Sequence, residues 1–407
     1  MPSRSTGPSP HPPVIALVPP VAPLPEETSQ LRENVRAFLC EERSAGRFTP
    51  RCDAWLSGWD EAFSRRLGAR GWLGMTVPVA YGGHGKSALD RYVVTEELLA
   101  AGAPVAAHWI ADRQTAPSLL RYGTEEQKQL YLPGIARGEC YVAIGLSEPD
   151  AGSDLAAVRT RAAKVRGGWK LTGTKVWTSG AHRAHVIVVL ARSGPPDGRD
   201  RRAGLSQFIV NLPDPAVRIR PIRLLSGEHH FNEVVLDGVF VPDDMVLGEP
   251  GAGWRQVTAE LAFERSGPER FLSTFPLLDC LVRQLARQVA DADPAGPGDG
   301  SAAVAVKLGE TVARMWTLRQ MSLAVAGALA REEAPEVAAA LVKDLGTRLE
   351  NEITDVARQL ARVEATPLAP GLPGLLAEAV LHSPGFTLRG GTNEILRGVV
   401  ARALGLR

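Results

Sequence analysis

Hydrophobic residues in the first third of the chain recur with the period of an α-helix. Four of them occupy one helical face, at relative positions i, i+4, i+7 and i+8. These residues are Leu31, Val35, Phe38 and Leu39. Further on, residues 124–127 (Thr-Glu-Glu-Gln) have the spacing of a capping box, and we expect the helix that they open to end at Pro133. The pattern predicts an N-terminal helical domain over residues 26–140.

The pattern changes after residue 140. Residues 186–190, 207–210 and 234–236 are short runs rich in β-branched residues, separated by Gly- and Pro-rich turn signals. No helical period lies between them, which disfavours a parallel sheet with crossover helices. We therefore predict a compact antiparallel β-domain, barrel-like in form, over residues 141–250.

The last third of the chain is helical again. Between Val337 and Leu360, apolar residues recur at spacings of three and four, which predicts one helix of about 25 residues and roughly 38 Å. An acidic loop rich in Pro and Gly interrupts the pattern at residues 291–300. The predicted fold class is α+β and mostly α, with a C-terminal helical domain over residues 251–407.

Composition excludes several classes of protein. The chain has 407 residues, of which 44% are hydrophobic and 22% charged, and its net charge of +1 argues against a nucleic-acid-binding protein. Four cysteines without a Cys-x-x-Cys pair favour a reducing, cytoplasmic location, and no apolar stretch approaches the roughly 20 residues of a membrane span. Residues 1–25 are predicted to be a disordered Pro-rich tail that is not a signal peptide.

Two apparent ligand motifs are weak. Residues 80–87 partly match a phosphate-binding loop, but a proline precedes them where a buried strand is needed, so a Gly-rich turn between helices is the better interpretation. The histidine pairs at 182/185 and 229/230 lack a carboxylate at a recognised spacing, so we predict no metal site. A Rossmann fingerprint is also missing.

Two turns rich in hydroxyl groups bracket one predicted hairpin. The first is residues 145–154 (Gly-Leu-Ser-Glu-Pro-Asp-Ala-Gly-Ser-Asp), and the second is residues 175–181 (Lys-Val-Trp-Thr-Ser-Gly-Ala). Both segments are equally consistent with surface loops, because Gly, Pro, Ser and Asp favour turns. Together, however, Trp177 and the nearby hydroxyl groups can form a slot for a planar aromatic ligand.

With residues 390–395 (Gly-Gly-Thr-Asn-Glu-Ile), these two motifs resemble the acyl-CoA dehydrogenase family in order and spacing. The resemblance extends from residue 26 to residue 407. It implies an N-terminal helical domain, a middle β-domain and a C-terminal four-helix domain around FAD. It also implies an acyl thioester substrate, an electron-transfer flavoprotein or similar acceptor, and an oligomeric assembly.

The resemblance assigns roles to particular residues. Leu146, Ser147, Trp177 and Ser179 are expected to hold the flavin ring, and Ser153 the pantetheine or phosphate part of the thioester ligand. Thr392 and Glu394 open the last helix, where the family binds the phosphate and adenosine part of FAD. A helix N-terminus suits anions, although Glu394 can equally serve only to complement the helix dipole.

The catalytic base is not at the position most common in the family, which is occupied here by Gly390. A minority branch carries a glutamate on the helix after the β-domain, and Glu264 matches it, with Arg265 as the following substrate-binding arginine. Glu264 shares a helical face with apolar residues, where burial would raise the pKa of a carboxyl group. A surface ion pair with Arg265 is the alternative. The Gly390 amide is then expected to polarise the thioester carbonyl; Glu260 and Glu269 are weaker candidates for the base.

Two family patterns that bind the neighbouring subunit's FAD are missing. Arg287 lacks the following Phe-Gly, and Gln359 lacks the following glycine pair. Three explanations remain open: weaker FAD binding within one subunit, contacts from a different chain in a hetero-oligomer, or a partner subunit without catalytic activity. A further alternative is a substrate carried by a carrier protein instead of CoA.

Overall fold

The computed structural model describes residues 17–195, 200–290 and 301–406, and within them it leaves undescribed the side chains of residues 261–264 and 301. Most of the predicted tail and the acidic loop at 291–300 therefore lie outside the described residues. Residues 17–25 contain neither a helix nor a strand.

Seven α-helices are described in the N-terminal part from residue 17 onward. They are α1 (Glu27–Ser44), α2 (Ala54–Ser57), α3 (Glu61–Ala69), α4 (Ala88–Ala100), α5 (Ala106–Ile110), α6 (Ala116–Tyr122) and α7 (Glu125–Ala136). The predicted capping box of α7 is present, because the Thr124 side chain accepts from the Gln127 amide and Gln127 bonds back. The helix continues past Pro133, contrary to the prediction, since Leu132 and Ile135 on either side are fully buried. Their burial outweighs the one main-chain donor that proline removes near a helix end.

The middle part is an eight-stranded sheet. Its strands are β1 (Val142–Gly145), β2 (Arg161–Val165), β3 (Gly168–Ser179), β4 (Val186–Arg192), β5 (Leu205–Asn211), β6 (Val217–Ile222), β7 (Phe231–Pro242) and β8 (Val246–Leu247). The order is β6-β7-β3-β2-β4-β5-β8, with β1 paired to β4. Most neighbours are antiparallel, but β1 runs parallel to β4. This places the end of β1 beside β3, where two of the sequence motifs meet.

Among the described residues, the C-terminal part contains six α-helices. They are α8 (Gly253–Arg265), α9 (Phe275–Ala290), α10 (Ser301–Ala330), α11 (Glu336–Leu360), α12 (Leu372–Phe386) and α13 (Asn393–Ala403). The long helix α11 packs against α9, α10, α12 and α13. Its 25 residues match the prediction. The order of helices, sheet and helices confirms the predicted fold class.

The two helical parts share one hydrophobic core. Phe38, Phe63 and Trp55 of the N-terminal helices and Leu277 and Ile353 of the C-terminal helices belong to the same buried cluster. The sheet has a separate core that includes Trp169 and Phe208. None of the described helices combines the length and apolarity needed to cross a membrane.

Candidate functional site between the sheet and the last helices

The first site segment is the turn that follows β1. Leu146 and Ser147 are half-buried where the chain leaves the sheet, and Glu148 is buried beside them. The Ser147 carbonyl accepts a hydrogen bond of 2.9 Å from the Val176 amide of β3. The structure therefore brings together the predicted flavin-binding residues around Ser147 and Trp177. Ser153, in contrast, is exposed in the same loop.

A buried ion pair holds this turn in place. Lys175 is fully buried, and its Nζ donates to the Glu148 carboxylate at 2.8 Å and to the Leu146 carbonyl at 3.0 Å. Glu148 also accepts from the backbone amides of Arg159 and Thr160 at 2.7 and 2.8 Å. Burial lowers the pKa of Lys175 to about 8, while the neighbouring carboxylate favours its charged form. The sequence motifs contain both residues, but sequence reasoning gave the pair no role.

Trp177 lies in a distorted turn of β3. The pairing of β3 with β7 shifts register between Lys175 and Thr178, and Trp177 has a φ of 58°. Positive φ is costly for an aromatic residue and persists where the surrounding structure enforces it. The Trp177 side chain is 56% exposed, and its only described ring contact is an edge-on one with Phe231 at 5.8 Å between centroids. An apolar planar surface is thus presented to a ligand.

The C-terminal end of this strand is firmly anchored. Asn232 of β7 donates from its side chain to the Thr178 carbonyl at 2.9 Å, and the Gly180 amide donates to the His230 carbonyl at 2.8 Å. Ser179, between these two contacts, is half-buried. The Ser179 hydroxyl group is therefore carried on a rigid backbone next to Trp177.

The second site segment joins the end of α8 to the glycine pair before α13. Arg265 Nε donates to the Gly390 carbonyl at 3.2 Å. Gly390 and Gly391 have φ values of 67° and 85°, a backbone conformation that favours glycine. The predicted Arg265 and Gly390 are thus brought into contact. The side chain of Glu264 lies outside the described part of the structure, although its backbone forms the last turn of α8.

The glycine pair leads directly into α13. The Thr392 side chain caps the helix by accepting from the Ile395 amide, and the Asn393 side chain is buried against α11, where Lys343 Nζ donates to its Oδ1 at 2.7 Å. Glu394 is exposed in the first turn, where hydrogen bonds from its own amide and from Thr392 lower its pKa. Of the residues at this helix N-terminus, Thr392 is half-buried and Glu394 and Ile395 are exposed.

A buried network of charges, which sequence reasoning missed, connects these two segments. Asp53 accepts hydrogen bonds from His382 Nδ1 and from the guanidinium of Arg389, the residue before Gly390. His382 Nε2 bonds to the Glu228 carboxylate at 3.0 Å. The His382 ring lies 6.5 Å from that of His230, the residue before Phe231. The network therefore extends from the glycine pair toward the Trp177 turn.

This network fixes the charge of its members. Burial opposes protonation of His382, but hydrogen bonds to Asp53 and Glu228 outweigh it and raise the pKa to about 9. Burial would raise the pKa of Asp53, yet Arg389 and His382 hold it well below its usual range. No spacing rule relates these residues, because they come from all three parts of the chain. Only the three-dimensional arrangement reveals them.

The geometry suits FAD. The exposed, strained Trp177 offers a stacking surface, the anchored Ser147 and Ser179 turns provide backbone and hydroxyl groups beside it, and the N-terminus of α13 can receive a phosphate. Among the described residues, no group of three or more His, Cys, Asp or Glu side chains is placed to hold a metal ion.

Comparison with known families agrees with this geometry. The models of the acyl-CoA dehydrogenase N-terminal, middle and C-terminal domains match residues 25–139, 143–239 and 251–405. Acyl-CoA dehydrogenase IpdE1 of Mycobacterium tuberculosis is 34% identical over 351 residues, which are 85% of this chain and 87% of the relative. Acyl-CoA dehydrogenase FadE34 of the same organism is 43% identical over 202 residues, 49% of this chain but 27% of that longer protein.

Solved structures give the same result. The Tcur3481-Tcur3483 steroid ACAD matches at a TM-score of 0.79 and 30% identity, covering 94% of this chain and 97% of the other. The ChsE4-ChsE5 complex from Mycobacterium tuberculosis matches at a TM-score of 0.78 and 30% identity, covering 94% and 98%. The chain belongs to the acyl-CoA dehydrogenase family, and with it to the FAD-dependent oxidoreductases that act on the CH–CH bond of acyl thioesters.

Proposed function

We propose that this protein desaturates an acyl-CoA thioester between its α and β carbons, with Glu264 as the base that removes the α-proton. The observation that carries the proposal is the contact between Arg265 and the Gly390 carbonyl. It brings the end of α8 to the glycine pair, so residue 264 is carried on the helix turn that meets this pair. FAD, when bound, supplies the acceptor for the hydride that leaves the β-carbon.

The surrounding residues have complementary roles in this proposal. Arg265 holds the Gly390 peptide in position, and the Gly390 amide donates to the thioester carbonyl, where negative charge develops as the proton leaves. The missing side chain at residue 390 leaves room for the carbonyl group. Arg265 also adds positive charge near that oxygen, and the exposed Ser153 contacts the pantetheine part of the thioester.

The flavin-binding assignments are likewise proposals. Leu146, Ser147 and Ser179 contact the ring through amide and hydroxyl groups, and Trp177 packs beside it. Thr392 and Glu394 lie at the end that receives the phosphate and adenosine part. Support comes from the hydrogen bond between the Ser147 carbonyl and the Val176 amide, which keeps the two ring-binding turns together.

Anaerobic bleaching of the flavin absorbance by acyl-CoA tests the role of Glu264. In the presence of excess FAD, Glu264→Gln is expected to bind the cofactor as the wild type does. It should nevertheless lose bleaching by about a thousandfold, as is usual when an essential proton-transfer group is removed. Glu260→Gln is the matched control one turn earlier. Glu260 accepts from the Ser118 hydroxyl and the Gln207 amide, and a glutamine oxygen can still accept both hydrogen bonds. Normal bleaching by Glu264→Gln would remove Glu264 from the mechanism.

We further propose that a second chain completes the FAD site. Arg287 and Gln359, where two family patterns are interrupted, are exposed on the chain surface. The solved structures named above include a complex of two different chains, ChsE4 and ChsE5. Purified alone, the protein is expected to lose FAD on gel filtration. Retention of one FAD per chain would contradict this proposal.

The choice of CoA is tested separately. Equal bleaching by CoA thioesters and carrier-protein thioesters would contradict it.

A further inference from the structure

A small cleft lies beside the end of α8. It is bounded by Ala88, Arg91 and Tyr92 at the start of α4, by residues 266–268 after α8, and by Ser322 and neighbouring residues of α10. Its volume is about 30 Å³. That is room for roughly two water-sized groups. The two oxygen atoms of a carboxylate match this space.

The cleft is lined by an arginine without a hydrogen-bonded counterion among the described residues. Arg91 is half-buried, and its guanidinium forms no hydrogen bond or ion pair with the residues that the structure describes. Burial and the neighbouring Arg113 lower the pKa of Arg91 to about 10, so it remains charged at neutral pH. A desolvated guanidinium without an acceptor is costly unless a ligand supplies one.

The second arginine of the cleft is already engaged. Arg113 Nη2 donates to Glu269 Oε1 at 3.3 Å, Nη1 lies 3.5 Å from the Thr95 hydroxyl, and the guanidinium lies over the Trp109 ring at 4.7 Å from its centroid. Glu269 thus neutralises Arg113. Among the residues that the structure describes, Arg91 has no such hydrogen-bonded partner, although the carboxylates of Asp112 and Glu269 favour its charged form.

A buried hydroxyl group provides independent support. Tyr92 is 5% exposed, and its hydroxyl lies near the Ser322 hydroxyl without a hydrogen bond of good geometry. The nearby Ser322 hydroxyl donates instead to the Ser266 carbonyl. A buried hydroxyl group without a well-formed hydrogen bond is able to bond to a ligand that enters the cleft. Tyr92 and Arg91 line the same cleft, so one carboxylate can accept from both.

We propose that this cleft binds a carboxylate at the far end of the acyl group of the substrate. This inference rests on the proposed function. The wall of the cleft at Ser266 and Gly267 follows Arg265 directly, and two residues span at most roughly 8 Å of chain. Arg265 in turn contacts Gly390, where the proposed thioester carbonyl binds. The proposal therefore takes the acyl chain past the end of α8 to Arg91 and Tyr92.

Matched pairs of CoA thioesters, equal in carbon number and ending in a methyl group or a carboxylate, test the proposal in the anaerobic bleaching assay. The FAD-loaded protein is expected to prefer one or more carboxylate-ended members by about tenfold or more, because a site built for a polar group rejects analogues that lack it. Arg91→Met should abolish the preference without slowing the methyl-ended thioester. Tyr92→Phe should reduce the preference for carboxylate-ended thioesters by less than Arg91→Met does. Arg137→Met, at an exposed arginine, should leave it unchanged.

The outcomes separate this inference from the proposed function. Bleaching without preference for a carboxylate end, or a preference that survives Arg91→Met, overturns the inference and leaves the desaturase intact. If no thioester bleaches the flavin, the proposed function is wrong. Calorimetric titration with free glutarate then tests whether the cleft binds a carboxylate at all. Binding that Arg91→Met removes would support a site for free carboxylates, whereas no binding would overturn the cleft as a carboxylate site.

Discussion

Replacing Lys175 by methionine tests whether the buried ion pair determines the geometry of the flavin-binding turns. The substitution removes the donor to the Glu148 carboxylate and to the Leu146 carbonyl. Glu148 would keep only the backbone amides of Arg159 and Thr160. Lys175 is 0% and the Glu148 side chain 7% exposed, so water cannot readily replace the lost ammonium group.

The magnitude follows from that burial. Removing one member of a buried pair costs about 3–5 kcal/mol, because the remaining charge has no counterion. A loss of about 3 kcal/mol lowers the melting temperature by roughly 10 °C if the sheet unfolds on its own and by roughly 4 °C if the whole chain unfolds as one unit. FAD affinity should fall as well, since the Ser147 turn loses its anchor.

Thermal unfolding and FAD titration of three variants measure these effects. Glu148→Gln/Lys175→Met should be more stable than Lys175→Met, because the double variant leaves no buried charge. The control is Lys164→Met, which breaks the exposed pair between Lys164 and Asp243 and should cost less than about 1 kcal/mol. If Lys175→Met has the same melting temperature as Lys164→Met and the FAD affinity of the wild type, the Lys175–Glu148 pair does not fix the Ser147 turn.

Two further predictions concern the glycine pair and the network behind it. His382 has a pKa of about 9 in the folded protein against 6.5 in the unfolded chain, so its stabilisation is complete below about pH 6.5 and is lost as the pH rises through about 9. Between these pH values, the melting temperature of His382→Gln should therefore fall less than that of the wild type. An equal fall in both proteins would contradict the raised pKa of His382. Gly390→Ala should destabilise the protein by about 1–2 kcal/mol, because alanine is strained at a φ of 67°. Gly385→Ala, at a position with open space around the added methyl group, should cost nothing in the same denaturation assay.

The sequence predicted the elements that depend on local pattern. The helical period, the β-branched runs and the capping box at Thr124 are short-range signals, and the structure contains α1, the sheet and α7 where they predict them. The ligand-binding motifs could also be recognised from the sequence, because their glycines and hydroxyl-bearing residues lie close together in the chain. Pro133 was misleading, since tertiary burial of its neighbours keeps the helix intact.

The tertiary structure alone decided which faces and charges meet. Leu345 belongs to the apolar stripe of α11, yet it is 37% exposed, while Lys343 and Glu350 on the same helix are fully buried. Hydrophobic periodicity cannot anticipate this, because a buried charge is tolerated only where another element supplies its partner, as Asn393 does for Lys343. For the same reason, the sequence alone does not predict the Asp53–His382 pair or the cleft at Arg91. Their chemistry depends on partners, or on missing partners, far away in the chain.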